Sequence, residues 1–205
     1  MRIKTRKATM IKFTAILFST LLLTACIGSN QVKNELPLPP KPITHPAFTL
    51  LPPAEQGWLL ANMSQYNLSL AKRGSTRDES YAIQVMLFQL PAFKDNNEFK
   101  EFVSMDIKKD TNKTRFKNIK SNSENVSINN LNCIKNIAST EDTQATKESN
   151  NTNNMILDAV SYTCQHPTVS RAAANISYSH RHYPGNSDAS LEKASRVIIE
   201  NFKFN

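Results

Sequence analysis

Residues 80–90 carry the plainest pattern in the chain: Tyr81, Ile83, Val85 and Leu87 share one parity, and Ala82, Met86 and Phe88 share the other. Successive side chains of a strand point to opposite faces. Apolar residues at both parities therefore predict a central strand, covered above and below. Pro91 closes it, since proline cannot donate to a ladder. Upstream, 57–63 (Gly-Trp-Leu-Leu-Ala-Asn-Met) and 68–72 read as short strands, and 48–51 as an edge strand. Trp58, the sole tryptophan, is expected to pack in the core.

The period then changes. Asp95 and Glu98 have capping-box spacing, and Phe99, Phe102, Val103 and Ile107 follow as one helical stripe. Residues 115–129 are polar and Asn/Ser-rich, which predicts two edge segments around a turn. Residues 131–139 and 155–165 read as strands on either side of 141–154, a run with almost no apolar residues and so a solvated loop. Residues 172–183 alternate again and stop at Pro184-Gly185. Ser187 or Asp188 caps a last helix with Leu191, Ala194, Ile198 and Phe202 on one face. This order predicts an α+β domain, a mainly antiparallel sheet with two packed helices, over residues 47–205. It resembles the PsbP-type α/β sandwich of lumenal photosystem subunits over about residues 47–204. The resemblance implies an accessory subunit of a membrane assembly and carries over no functional residue.

The N-terminus is organised differently. Residues 1–12 hold Arg2, Lys4, Arg6, Lys7 and Lys12 and no acid, and 13–23 form a short apolar run. That run has the length of a signal h-region, roughly 7–15 residues, and falls short of the roughly 20 needed to span a bilayer. It ends in Leu23-Thr24-Ala25-Cys26, which resembles the lipobox of bacterial lipoproteins. The resemblance implies removal of residues 1–25, a diacylglycerol on the Cys26 thiol, and a third acyl chain on the new amine. Two or more chains hold a protein stably at a membrane. Ile27 rather than an aspartate after the cysteine implies, by the family's sorting rule, the periplasmic face of the outer membrane in a Gram-negative cell. Seven of the ten prolines fall in residues 37–53. Residues 26–46 therefore read as the lipidated cysteine and an extended tether, reaching up to about 60 Å.

The leader also revises the charge. The formal net charge is +8, but five of the 25 basic side chains belong to residues 1–25; the 20 that remain face 17 acids. The basic balance is thus largely a targeting signal, and no nucleic-acid surface is expected. Lys108, Lys109, Lys113, Arg115, Lys117 and Lys120 form a local patch that reads as a solvated face.

With Cys26 acylated, Cys133 and Cys164 are an even pair in an oxidising compartment. If they face each other in an antiparallel hairpin, Thr140 faces Leu157 and the polar run drops out as the loop. Two separate buried thiols, or a redox pair lacking the C-x-x-C spacing, are the alternatives.

Candidate chemistry is sparse. His180 and His182 share a strand face and could meet a metal with His166, although no carboxylate stands at a convincing spacing and no metal is expected. Because Ile176 and Tyr178 have the same parity, these histidines also fit the rim of the core, paired with acids. A Ser179–His180–Asp158 triad fails on geometry, since adjacent strand side chains point to opposite faces. There is no G-x-S-x-G and no P-loop, and the chain has only four glycines. Tyr178, His180, Arg181, His182 and Tyr183 remain as a candidate partner-binding surface, Arg and Tyr being enriched at interface hot spots. The expected function is a non-catalytic envelope scaffold with a protein partner and no cofactor. The alternative is a small-ligand carrier or enzyme using a cleft at Tyr178, His180 and His182.

Overall fold

The computed structural model describes residues 35–110 and 114–205, the side chains of 106–110 excepted. The leader, Cys26 and the first part of the tether lie outside them. In chain order the elements are β1 (Ile43–His45), β2 (Phe48–Leu50), β3 (Leu59–Met63), β4 (Asn67–Arg73), β5 (Ser80–Gln89) and α1 (Asn96–Asp110). They continue with β6 (Phe116–Ile128), β7 (Leu131–Asp142), β8 (Met155–Gln165), β9 (Ala172–His182), α2 (Leu191–Glu200) and β10 (Phe202–Phe204). The fold is α+β. Seven strands form an antiparallel sheet in the order β3-β4-β5-β9-β8-β7-β6, and β1-β2-β10 form a small second sheet.

Alternation sorts the large sheet into two unlike faces. On the first, Leu68, Leu70, Ile83, Val85, Ile176 and Tyr178 meet Leu191, Ile198 and Ile199 of α2 and Phe48, Leu50 and Phe202 of the small sheet. Each such side chain, fully buried, contributes roughly 1.5–3 kcal/mol. Trp58 lies in this core, 1% exposed. Among the described residues, the second face is covered only at one end, where Phe99 and Val103 of α1 pack on Leu90, Ile134 and Ala173. Central strand β5 is therefore buried on one side and only half covered on the other: Met86 is 54% exposed.

Local chemistry sets the element ends. The Asp95 carboxylate accepts the N–H groups of Asn97 and Glu98, and the Glu98 carboxylate accepts that of Lys94, which starts α1 as a capping box. Asn129 and Asn130 take positive φ (50° and 63°) as a two-residue hairpin turn between β6 and β7. A turn of this kind matches strand twist and favours asparagine.

Three sequence expectations are corrected. Residues 115–129 are not two segments but one 13-residue edge strand, β6. Phe202 does not belong to the last helix: α2 ends at Glu200 and Phe202 enters the core from β10. Residues 35–46, expected as tether, lie on the domain instead. Glu35 bridges to Leu59, the Leu36 N–H bonds the Trp58 carbonyl at 2.8 Å, and Ile43–His45 pairs with β2. Apolar Leu36 and Ile43, packed against the main core, hold this proline-rich stretch down.

Both outer strands of the large sheet are irregular. The register slips between Leu60 and Asn62 in β3 and between Asn118 and Lys120 in β6. Bulges and edge lysines such as Lys117 and Lys120 blunt an edge against added strands.

Candidate binding cleft

The half-covered sheet face forms a cleft of about 490 Å³ beneath α1. Its floor is drawn from four strands, β5, β9, β8 and β7. In the row that crosses them, Gln84 stands opposite Ser177, Ser177 opposite Ser161, and Ser161 opposite Asn136. The next row adds Asn175 and Thr163, a facing pair whose side chains hydrogen bond at 2.9 Å. The apolar wall comprises Met86, Phe88, Phe102, Val103, Phe116 and Leu157. Among the described residues, none that lines the cleft is ionisable.

Just beyond Phe116 and Leu157 lies a charged knot. The Asp142 carboxylate, fully buried, accepts two 2.8 Å bonds from Arg115 and pairs with Arg181 at 3.1 Å. Burial pushes the Asp142 carboxyl up, but the Arg115 hydrogen bonds and the Arg181 charge outweigh it, so the net shift is downward. Burial lowers the Arg181 guanidinium from its usual value.

The histidines lie on the opposite face. Lys72, Tyr81, His180 and Asp158 form one cross-strand row. The His180 ring stacks on Tyr81 at 4.2 Å and on His182 at 4.7 Å. His182 Nε2 lies 3.0 Å from the Asp158 carboxylate and its Nδ1 2.7 Å from the Tyr183 carbonyl. Burial, then the neighbouring His182, lowers the His180 pKa, while its Nδ1 has no hydrogen-bond partner. Tyr81, half-buried and hydrogen bonded to Asp188, is pushed up to about 12.

The candidate partner surface is thereby divided. Tyr178, His180 and His182 are 5%, 3% and 2% exposed, so they do not form an outer surface. Their parity with Ile176 commits them to the core side. Arg181 points to the other face, into the Asp142 knot, and the Tyr183 hydroxyl donates to Asp78 at 2.6 Å. His166 is not brought to the other histidines: its Nδ1 accepts the N–H groups of Thr168 and Val169, and its ring packs on Phe204. The described residues contain no cluster of three or more His, Cys, Asp or Glu placed to hold a metal. Ser179 and His180 lie on opposite faces, and Asp158 pairs with His182. Of the basic patch, Arg115 is held by Asp142 and Lys117 lies 3.5 Å from Glu141.

Cys133 and Cys164 stand opposite each other and are bonded, and Thr140 faces Leu157 in the same ladder. The polar run between β7 and β8 is not free. The Asp78 carboxylate accepts the N–H of Ser149 at 3.1 Å, the Ser149 hydroxyl and the N–H of Glu148, while Arg73 forks onto Glu148. Those hydrogen bonds, first from the Ser149 and Tyr183 hydroxyls, hold the Asp78 carboxyl far below its usual range.

No family model matches the chain, and no curated protein is similar to it. Solved structures of similar shape exist. A cyanobacterial PsbP from Synechocystis sp. PCC 6803 aligns with TM-score 0.48 at 11% identity, over 89% of this chain and 99% of that one. The protein Mog1, in a point-mutant form, aligns with TM-score 0.44 at 12% identity, over 80% and 95%. A Bacteroides thetaiotaomicron protein aligns with TM-score 0.43 at 11% identity, over 80% of this chain and 48% of its own.

Proposed function

We propose that this chain is a lipid-anchored, non-catalytic binding protein of a Gram-negative envelope. Acylated Cys26 holds it at the periplasmic face of the outer membrane. The α+β domain docks another envelope component there, as an accessory or scaffold subunit of a secretion or other envelope machine. The observation that carries the binding reading is the cleft under α1, which is large enough for a ligand and whose described lining residues are all uncharged. Acid–base and nucleophilic catalysis need titratable groups at the reacting atoms, and the described lining residues offer none. The leader, the lipobox-like Leu23-Thr24-Ala25-Cys26 and the bonded Cys133–Cys164 pair support an extracytoplasmic location.

The alternative, a carrier or enzyme working at Tyr178, His180 and His182, loses its opening: these side chains are buried and the two imidazoles stack on each other. Affinity purification from cross-linked membranes, with the anchor intact, tests the proposal. Enrichment of one stoichiometric envelope component, lost in a Cys26→Ser control, is the expected result. A chain recovered alone from both would overturn it.

A further inference from the structure

The geometry points to a neutral saccharide as the ligand of the cleft beneath α1. This deepens the binding reading above and rests on it. Two features of the lining select the class. The first is charge: the described residues that line the cleft include no ionisable side chain, although one residue in five of the chain is charged. The nearest guanidiniums, Arg115 and Arg181, already share Asp142 outside the lining. A carboxylate or phosphate ligand would be desolvated there without a counter-charge.

The second feature is the state of the polar floor. Asn175 and Thr163 satisfy each other, and the Asn136 carbonyl oxygen accepts from Ser121 and Ser123. By contrast, among the described residues the side chains of Gln84, Ser161 and Ser177 make no hydrogen bond, and all three line the cleft. An acyl chain laid on this floor would strip water from three polar groups and return nothing, at a cost for each. Hydroxyl groups both donate and accept, as these side chains do. A sugar therefore satisfies the floor while its C–H faces meet Phe88, Phe102 and Met86 on the wall. An extended peptide carries its polar groups in the backbone and is best paired at a strand edge. Here the edges are bulged and the cleft presents a sheet face. The volume of about 490 Å³ lies within the range of small-ligand sites, roughly 300–1,000 Å³.

The test is calorimetric titration of the full-length protein in lipid nanodiscs with chitotetraose, using dodecanoate and a neutral Ala-Ser tetrapeptide as competitors. The expected result is saturable binding of the saccharide that neither competitor displaces. Gln84→Ala, an exposed change that leaves the core intact, should weaken it about tenfold. Ser161→Leu should abolish it by filling the floor, and Glu192→Ala on the far face should leave it unchanged. No saccharide binding, displacement by dodecanoate or by the peptide, or a Gln84→Ala affinity equal to the parent would overturn the assignment. A blank titration still leaves the cross-linked purification free to return a protein partner, so the two readings fail separately.

Discussion

Cys133 and Cys164 occupy directly opposed positions on β7 and β8, with their Cα atoms 4.1 Å apart and a sequence separation of 31. The bridge closes a loop containing the whole polar run. Reducing it, or replacing both cysteines with alanine, is expected to cost about 3–4 kcal/mol through the freed unfolded chain. Urea unfolding of the two forms measures the difference. A loss below about 1 kcal/mol would show that the β7–β8 ladder alone constrains the loop.

Asp142 is a buried carboxylate shared by two arginines. Asp142→Asn leaves both guanidiniums without their counter-charge, and a loss of about 3 kcal/mol is expected. The folded-state carboxyl is held below its ordinary range. Its contribution is therefore full above the ordinary carboxylate pKa and is lost as pH falls through the folded value. Thermal unfolding from pH 6 to pH 3 should show a steep acid limb in the parent and a shallower one in Asp142→Asn.

His180 gives a second and separate pH dependence. Burial and His182 lower its pKa in the folded chain, while Asp188, Glu79 and Asp158 pull the other way without reversing the shift. With the folded pKa depressed, the stabilisation is present above the unfolded value of about 6.5 and erodes as pH drops below it. The slope approaches 1.4 kcal/mol per pH unit between the two values. His180→Phe, which keeps the stack on Tyr81, should flatten stability as pH falls below about 6.5. An unchanged slope in the variant would assign that limb to other groups.

Asp78 ties the Glu148–Ser149 segment to the end of the sheet. Asp78→Ala should release it, with hydrogen exchange and limited proteolysis rising in residues 143–154 while β7 and β8 stay protected. Equal protection in the variant would mean that the Arg73–Glu148 pair suffices.

The ladder around this bridge was readable from the chain because two independent markers coincide: the cysteine pair and the apolar-poor run fix the same register. Helix α1 was legible for a similar reason, with Asp95 and Glu98 agreeing with the stripe from Phe99. Strand β6 was not, since an edge strand needs little apolar alternation, and its polar, Asn/Ser-rich run reads as two segments around a turn. Phe202 was assigned to the helix because its spacing from Ile198 is helical; Asn201 ends α2 one residue too early for that. The cleft had no local signature. Its floor takes Gln84 from one strand, Asn136 from another, Ser161 and Thr163 from a third, and Asn175 and Ser177 from a fourth. Only the alternate Ala and polar positions of β8 and β9, opposite their buried partners, hinted that one sheet face is kept small and wet. Tyr178, His180 and His182 drew notice as a polar aromatic cluster, yet their parity with Ile176 already placed them inward.

The account turns on where the mature chain begins. Intact-mass analysis of protein extracted from membranes measures this directly. The account predicts a chain starting at Cys26 and carrying the added mass of two or three acyl groups, with Cys26→Ser unprocessed and unacylated. A parent protein that retains Met1, or one that starts at Cys26 with no added mass, would contradict it.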